Sequence, residues 1–274
     1  MIYIFNSLVN RFFDMLVCSF GTPGPWPAMI TTSLFASIVL VLIFRFASRR
    51  KVMRRKKNRA IAGLLEFALF KDNLPATFSA FKDSAKATGA YFAEQIVPLT
   101  ASLPVMVVIL IQANASLSCR PLRPGETAVL NATVRKNIPL MQAKIRAEPS
   151  SGLEIEAGPV RAVLLNEVSW RLRAVSQGEH YVDIHIGAGT PVQKSVTVSL
   201  LHRRVSFRRP GPGIVERFLN PSEPGLPADN GIESITLTCK PALYPAAGTN
   251  LGWLTAFIGL TLVAALILKS ADVG

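Results

Sequence analysis

Three stretches of this chain carry no charged side chain over a membrane-length run: Trp26–Phe44, Gln95–Gln112 and Leu251–Leu268. At about 1.5 Å per helical residue, each covers most of a ~30 Å hydrocarbon layer. The rest of the chain is basic. The net charge is +13 over 274 residues, half of them apolar and only 17% charged. Charge and apolarity are therefore segregated along the sequence. Three such runs as buried helices of a soluble protein would need a core that a chain of this size hardly builds around them. The pattern predicts a multi-pass membrane protein with transmembrane helices over residues 26–47, 95–113 and 250–269. Pro98 and Pro104 fall inside the second of these, which predicts a kinked helix. Thr100 and Ser102 stand close enough to satisfy the carbonyls that the prolines free.

Orientation follows from the short-loop Lys and Arg residues. Arg45–Glu94 holds twelve basic and four acidic residues, a net +8, whereas Met1–Pro25 holds only Arg11 and Asp14. The N-terminus is thus expected outside the plasma membrane, the basic loop in the cytoplasm, residues 114–247 outside, and the C-terminus inside. The densest basic block comprises Arg49, Arg50, Lys51, Arg54, Arg55, Lys56, Lys57 and Arg59. It is chiefly a topology determinant. The same placement brings it against anionic lipid headgroups, and it suits contact with ribosomal RNA phosphates as well. It lacks interleaved aromatic residues, so sequence-specific nucleic-acid binding is not expected.

Between these spans the periodicity changes. Residues 1–20 read as an amphipathic interfacial helix, with Phe5, Leu8, Val9, Phe12, Phe13 and Leu16 on one side and Asn6, Asn10, Arg11 and Asp14 mostly on the other. Residues 48–94 read as a basic cytoplasmic helical hairpin, Arg49–Lys71 and about Leu74–Gln95, broken at "KDNLP". After the second span the period becomes two. The segments "TAVLNATV", "MQAKIRAE", "VSWRLRAV", "YVDIHIGA", "SVTVSLLH" and "IESITLTC" alternate and predict an all-β, immunoglobulin-like sandwich over 114–247. Tyr181 falls off the apolar face of its strand, and Trp170 reads as a core aromatic. Arg208–Gly231 is a Pro/Gly-rich connection that either rests on the membrane surface or covers a sheet edge.

Few residues suggest chemistry. Cys119 and Cys239 flank the β-region in an oxidising compartment, where a disulfide and two free thiols are both open readings. His180 and His185 fall on opposite faces of one strand, and His202 lies beside Arg203 and Arg204, so no metal site is expected. Phosphate-loop, dinucleotide and nucleophile-elbow motifs are missing from the sequence. The expectation is a non-enzymatic protein without cofactors.

The order of elements, an amphipathic helix, a span, a basic helical hairpin, a second span, an inserted domain and a final span, resembles the YidC-type insertase superfamily. The resemblance covers Met1–Gln112 and Leu251–Leu268 and is one of topology. It implies a three-helix core in the bacterial inner membrane, with a hydrophilic groove that receives polar segments of client membrane proteins. Arg45, in "IFRFA", matches the groove cation of such insertases or else anchors the helix at the headgroups. Ser37, Thr100, Ser102 and Gln112 are the candidate polar lining. The sequence departs from the superfamily in having no charge deep in any span, and in carrying a β-domain where bacterial members carry extra helices. Two functions follow as expectations: assistance to membrane-protein insertion, or an envelope scaffold binding an extracytoplasmic partner through the β-domain.

Overall fold

The backbone of Trp26–Ala47 forms an unbroken 22-residue helix (α2), starting with Pro27 in its first turn, where a missing N–H costs nothing. The computed structural model describes residues 2–18, 24–48, 58, 61–62, 74–187, 189–246 and 248–271. Two further long helices are Leu74–Leu117 (α3) and Trp253–Ala271 (α5). A 17-residue helix, Ile2–Cys18 (α1), precedes them, and a short one, Ile214–Leu219 (α4), lies late in the β-rich region. Three of these are long and apolar enough to cross a bilayer: α2, the Ser84–Leu117 part of α3, and Trp253–Ser270 of α5. The chain divides into two compact units, Met1–Ser33 with Leu110–Leu260, and Leu34–Ile109 with Thr261–Gly274.

α3 spans the boundary near Gln95, where the expected hairpin helix ends and the second expected span begins. Its 44 residues run through that boundary as one helix, in spite of the proline in "EQIVPL". Pro98 and Pro104 lie inside the helix. The nearby hydroxyls do not serve the carbonyls of Glu94 and Thr100, which the prolines leave without an i+4 donor. Instead, Thr100 Oγ1 donates to Ile96 O (2.8 Å) and Ser102 Oγ to Leu99 O (2.8 Å). The expected first hairpin helix, Arg49–Lys71, lies outside the described residues apart from Asn58, Ile61 and Ala62.

The β-rich region contains two larger antiparallel sheets. The first has the order β4 (Leu153–Ala162), β5 (Glu167–Ala174), β2 (Thr127–Val134), β9 (Ile232–Leu237), β8 (Arg208–Arg209). The second has the order β3 (Ile145–Pro149), β6 (Gly178–Ile186), β7 (Val192–Val198). Alternation turns Leu130, Trp170 and Leu172 of the first sheet and Val182, Ile184 and Val196 of the second into one shared apolar core. Tyr181 is exposed. Short pairs add β1 (Cys119–Arg120) to β10 (Lys240–Pro241), and β11 (Tyr244–Ala246) to β12 (Thr249–Leu251).

One long strand escapes the alternation rule. β4 contains Gly158 and Pro159, which argue against a strand interior, yet it is the sheet's edge strand, where proline is tolerated. Its register with β5 shifts twice between Ile155 and Val160. Glycine is required at the shift. The φ of Gly158 is +125°, and a Cβ there would meet Ser169 O at 2.9 Å.

Candidate functional site

The most elaborate polar structure gathers where α3 meets the β-rich region, within the first compact unit. A helix C-terminus leaves its last carbonyls without intrahelical donors. Tyr244 Oη donates to Leu117 O at 2.8 Å, and His202 Nε2 donates to Ser116 O at 3.0 Å. A carbonyl only accepts, so this imidazole nitrogen carries the proton. Burial lowers the His202 pKa, and its bond to Ser116 opposes that effect. Burial likewise pushes the Tyr244 phenol well above its ordinary range, so it remains a donor. Trp26 packs edge-on against Tyr244, with ring centroids 5.5 Å apart.

β1 and β10 continue from this point, and a disulfide joins Cys119 to Cys239 with their Cα atoms 5.8 Å apart. Glu126 ties the same two strands together. It accepts from both terminal nitrogens of Arg120 (2.8 and 2.9 Å), from Lys240 Nζ (3.1 Å) and from the Arg123 backbone N–H (3.0 Å). The Arg120 hydrogen bonds, aided by those from Arg123 and Lys240, hold its carboxyl at about 2 against the opposing effect of burial.

A second cluster surrounds Arg204, whose side chain is only 12% exposed. Its Nε pairs with Asp14 Oδ1 at 2.8 Å, and its two terminal nitrogens donate to Asn10 Oδ1 (2.7 Å) and Gln112 Oε1 (3.0 Å). Gln112 Nε2 donates to Asn10 Oδ1 at 3.0 Å, closing a ring across α1, α3 and the segment after β7. Burial raises the Asp14 pKa, and the charge and hydrogen bonds of Arg204 work against that rise. On the polar side of α1, Asn6, Asn10 and Asp14 are therefore engaged by protein, while Arg11 is exposed. Helical periodicity identified that face, but nothing local revealed that Arg204, 190 residues later, would occupy it.

The third cluster was hidden in the sequence. Lys194 lies on β7 between Val192 and Val196, at an inward-facing position, and its side chain is 0% exposed. Its ammonium has four acceptors for its three hydrogens: Ser206 O (2.6 Å), Ser206 Oγ (2.9 Å), Glu223 Oε1 (3.0 Å) and, at the longest distance, Ser195 O (3.3 Å). Burial lowers the Lys194 pKa and Glu223 opposes that effect. Through these contacts Lys194 fastens β7 to Ser206 and to Glu223. Glu223 also accepts the Ser195 N–H at 3.0 Å, and Arg209 donates to Gln193 O. Both contacts cover the outer edge of β7, the exposed backbone that an edge strand would otherwise leave unpaired.

The sequence-predicted lining residues have separate partners. Ser37 is buried on α2 and donates to Thr261 O of α5 at 2.8 Å. Thr100 and Ser102 bond within α3, Gln112 belongs to the Arg204 cluster, and Arg45 is exposed in the last turn of α2. All eight residues of the basic block from Arg49 to Arg59 lie outside the described residues. Among the described residues, no three His, Cys, Asp or Glu side chains converge as a metal site would require. Set against protein-family models, curated proteins and solved structures, the chain matches none.

Proposed function

We propose that the protein is a non-enzymatic bacterial inner-membrane scaffold whose extracytoplasmic β-domain binds a protein partner. The three long helices anchor it, with the N-terminus and β-domain outside and the C-terminus in the cytoplasm. An immunoglobulin-like reading of the domain is supported by its strand order. β4-β5-β2 and β3-β6-β7 correspond to D-E-B and C-F-G of such sandwiches, with β9 in the position of strand A.

One observation carries the binding role. β2 starts near the α3 joint, and its far end, Thr133, pairs with Glu167 after the β4–β5 connection. That connection exposes Val163, Leu164 and Leu165, with Leu164 99% exposed, and Val160 near the end of β4 is exposed as well. An apolar group presented this far from the joint is the kind of surface that protein contacts bury.

Insertase-type assistance is the second reading. It draws on the order of elements and on the length of α3, whose 44 residues reach roughly twice the hydrocarbon thickness. Photo-crosslinking in living cells separates the two. Adducts of one discrete protein at Leu164, with none at Arg45, support the scaffold. Heterogeneous nascent-chain adducts at Arg45, with none at Leu164, would replace it by the insertase.

A further inference from the structure

We propose that α1 and α4 together form a lipid-facing shelf, resting in the interfacial zone of the leaflet next to the β-domain, with Arg204 holding α1 from behind. This rests on the membrane reading of the long helices. In α1, Asn6, Asn10, Phe13 and Val17 recur at helical spacing, and all but Asn10 are buried. Asn10 is half-buried and holds Arg204 and Pro221. On another face, Leu8, Phe12 and Met15 are exposed, Leu8 at 68% and Met15 at 62%. A helix on a water-soluble surface arranges its sides the other way, with polar residues outward. The protein-facing side thus mixes Asn6 and Asn10 with Phe13 and Val17, while a row of large apolar side chains is turned out, and such an outward row is the arrangement that lipid selects.

α4 repeats the pattern. Ile214, Val215 and Leu219 are exposed, while Glu216 Oε2 turns back to accept the Gly211 N–H at 3.1 Å. The two helices are joined: Asn6 Nδ2 donates to Arg217 O (3.1 Å) and Asn10 Nδ2 to Pro221 O (2.7 Å). A groove of about 470 Å³ lies between them, lined in part by Arg11, Ile214 and Arg217. Residues Arg209 and Glu223 already cover the β7 edge, so the apolar side of α4 is left for another surface.

Continuity with α2 identifies that surface as lipid. Thr31 Oγ1 lies 3.2 Å from Leu16 O of α1. Thr31 is five residues into α2, about 7.5 Å along the helix from Trp26. The C-terminal end of α1 is therefore level with the first turns of a membrane-length helix, beside the exposed Ile30. Burial of roughly 5–10 Å is the depth at which interfacial helices settle. Arg11, exposed beside this face, suits anionic headgroups.

The test uses full-length protein in nanodiscs of phosphatidylglycerol and phosphatidylethanolamine, on a Cys18→Ser background. Single cysteines at Leu8, Met15, Val215, Leu34 and Leu164 carry an environment-sensitive fluorophore. The labels at 8, 15 and 215 should shift to the blue and lose most of their emission to a nitroxide attached near the lipid headgroup. The label at 34 should respond to a nitroxide deeper in the acyl chain, and that at 164 to neither. A quenched label at 34 with a water-like label at 8, 15 or 215 overturns the shelf alone. An unquenched label at 34 overturns the membrane reading beneath it. Blue-shifted labels at 8, 15 and 215 that lipid nitroxides leave untouched, and that become water-like at one protein per disc, identify a second copy as the occupant and overturn the lipid assignment.

Discussion

Replacing Glu223 by Gln removes the carboxylate charge from beside an ammonium that has no access to water. Lys194 would keep Ser206 O and Ser206 Oγ, and the new amide oxygen could still accept, so the hydrogen-bond count survives. What is lost is the compensating charge. Stranding one member of a buried pair costs about 3–5 kcal/mol, and the retained acceptor places Glu223→Gln near the lower end. For a domain of this size, about 3 kcal/mol corresponds to a fall in Tm of roughly 10 °C. Lys194→Met replaces the buried stem with an apolar chain of similar volume, and Glu223 retains the Ser195 N–H and hydroxyl, so this variant should lose less. The double variant should recover part of the Glu223→Gln loss, giving a coupling energy of at least about 1 kcal/mol. Thermal and urea unfolding of the full-length protein in nanodiscs, followed by tryptophan fluorescence, measures all four corners. A Glu223→Gln loss below about 1 kcal/mol, or a Lys194→Met loss exceeding it, would refute the argument that the pair is a desolvated, mutually dependent clamp.

The other predictions concern the joint. Glu126 is held at about 2 when folded, against 4.5 for an ordinary carboxyl, so its contribution is complete above pH 4.5 and is lost as pH falls through about 2. Solvent screens it, so about 1 kcal/mol should disappear over that window, and acid titration of unfolding midpoints should flatten in Glu126→Gln. Reducing the Cys119–Cys239 bond, or replacing both residues by Ser, should lower domain stability by about 3–5 kcal/mol, read from urea midpoints with and without reductant. Arg204→Met should release α1 while leaving the β-core in place, so amide exchange should accelerate at Asn6–Asp14 and remain slow in β2 and β5. Equal acceleration in the strands would mean that Arg204 supports the whole domain.

How much of this was readable depended on the range of each interaction. The membrane-length helices follow from composition along contiguous residues. β2, β5, β6 and β9 follow from alternation, because their inward faces are uninterrupted enough for a period of two to show. β4 was lost because a glycine and a proline occupy its middle, and the sequence does not reveal that it lies at an edge. Lys194 could have been suspected, since "VQKSV" places a cation on an inward face, but its partner Glu223 lies in an irregular connection with no period to read. The Arg204 cluster draws on positions 10, 14, 112 and 204, too far apart for any local pattern to link them. Hydroxyls in the long helices were legible as residues but not as partners: Ser37 serves packing between α2 and α5, and Thr100 and Ser102 bond their own helix.

The disulfide has a mechanical consequence. The β-rich chain leaves α3 at Cys119 and returns toward α5 at Cys239, so the covalent link connects its entrance to its exit. Tension drawn between those two helices passes through the two sulfurs and leaves the intervening strands slack. On the membrane reading proposed above, stretching or thinning of the bilayer would thus pull on the anchor without unravelling what it holds, and only a reducing environment would put the strands in series with that force.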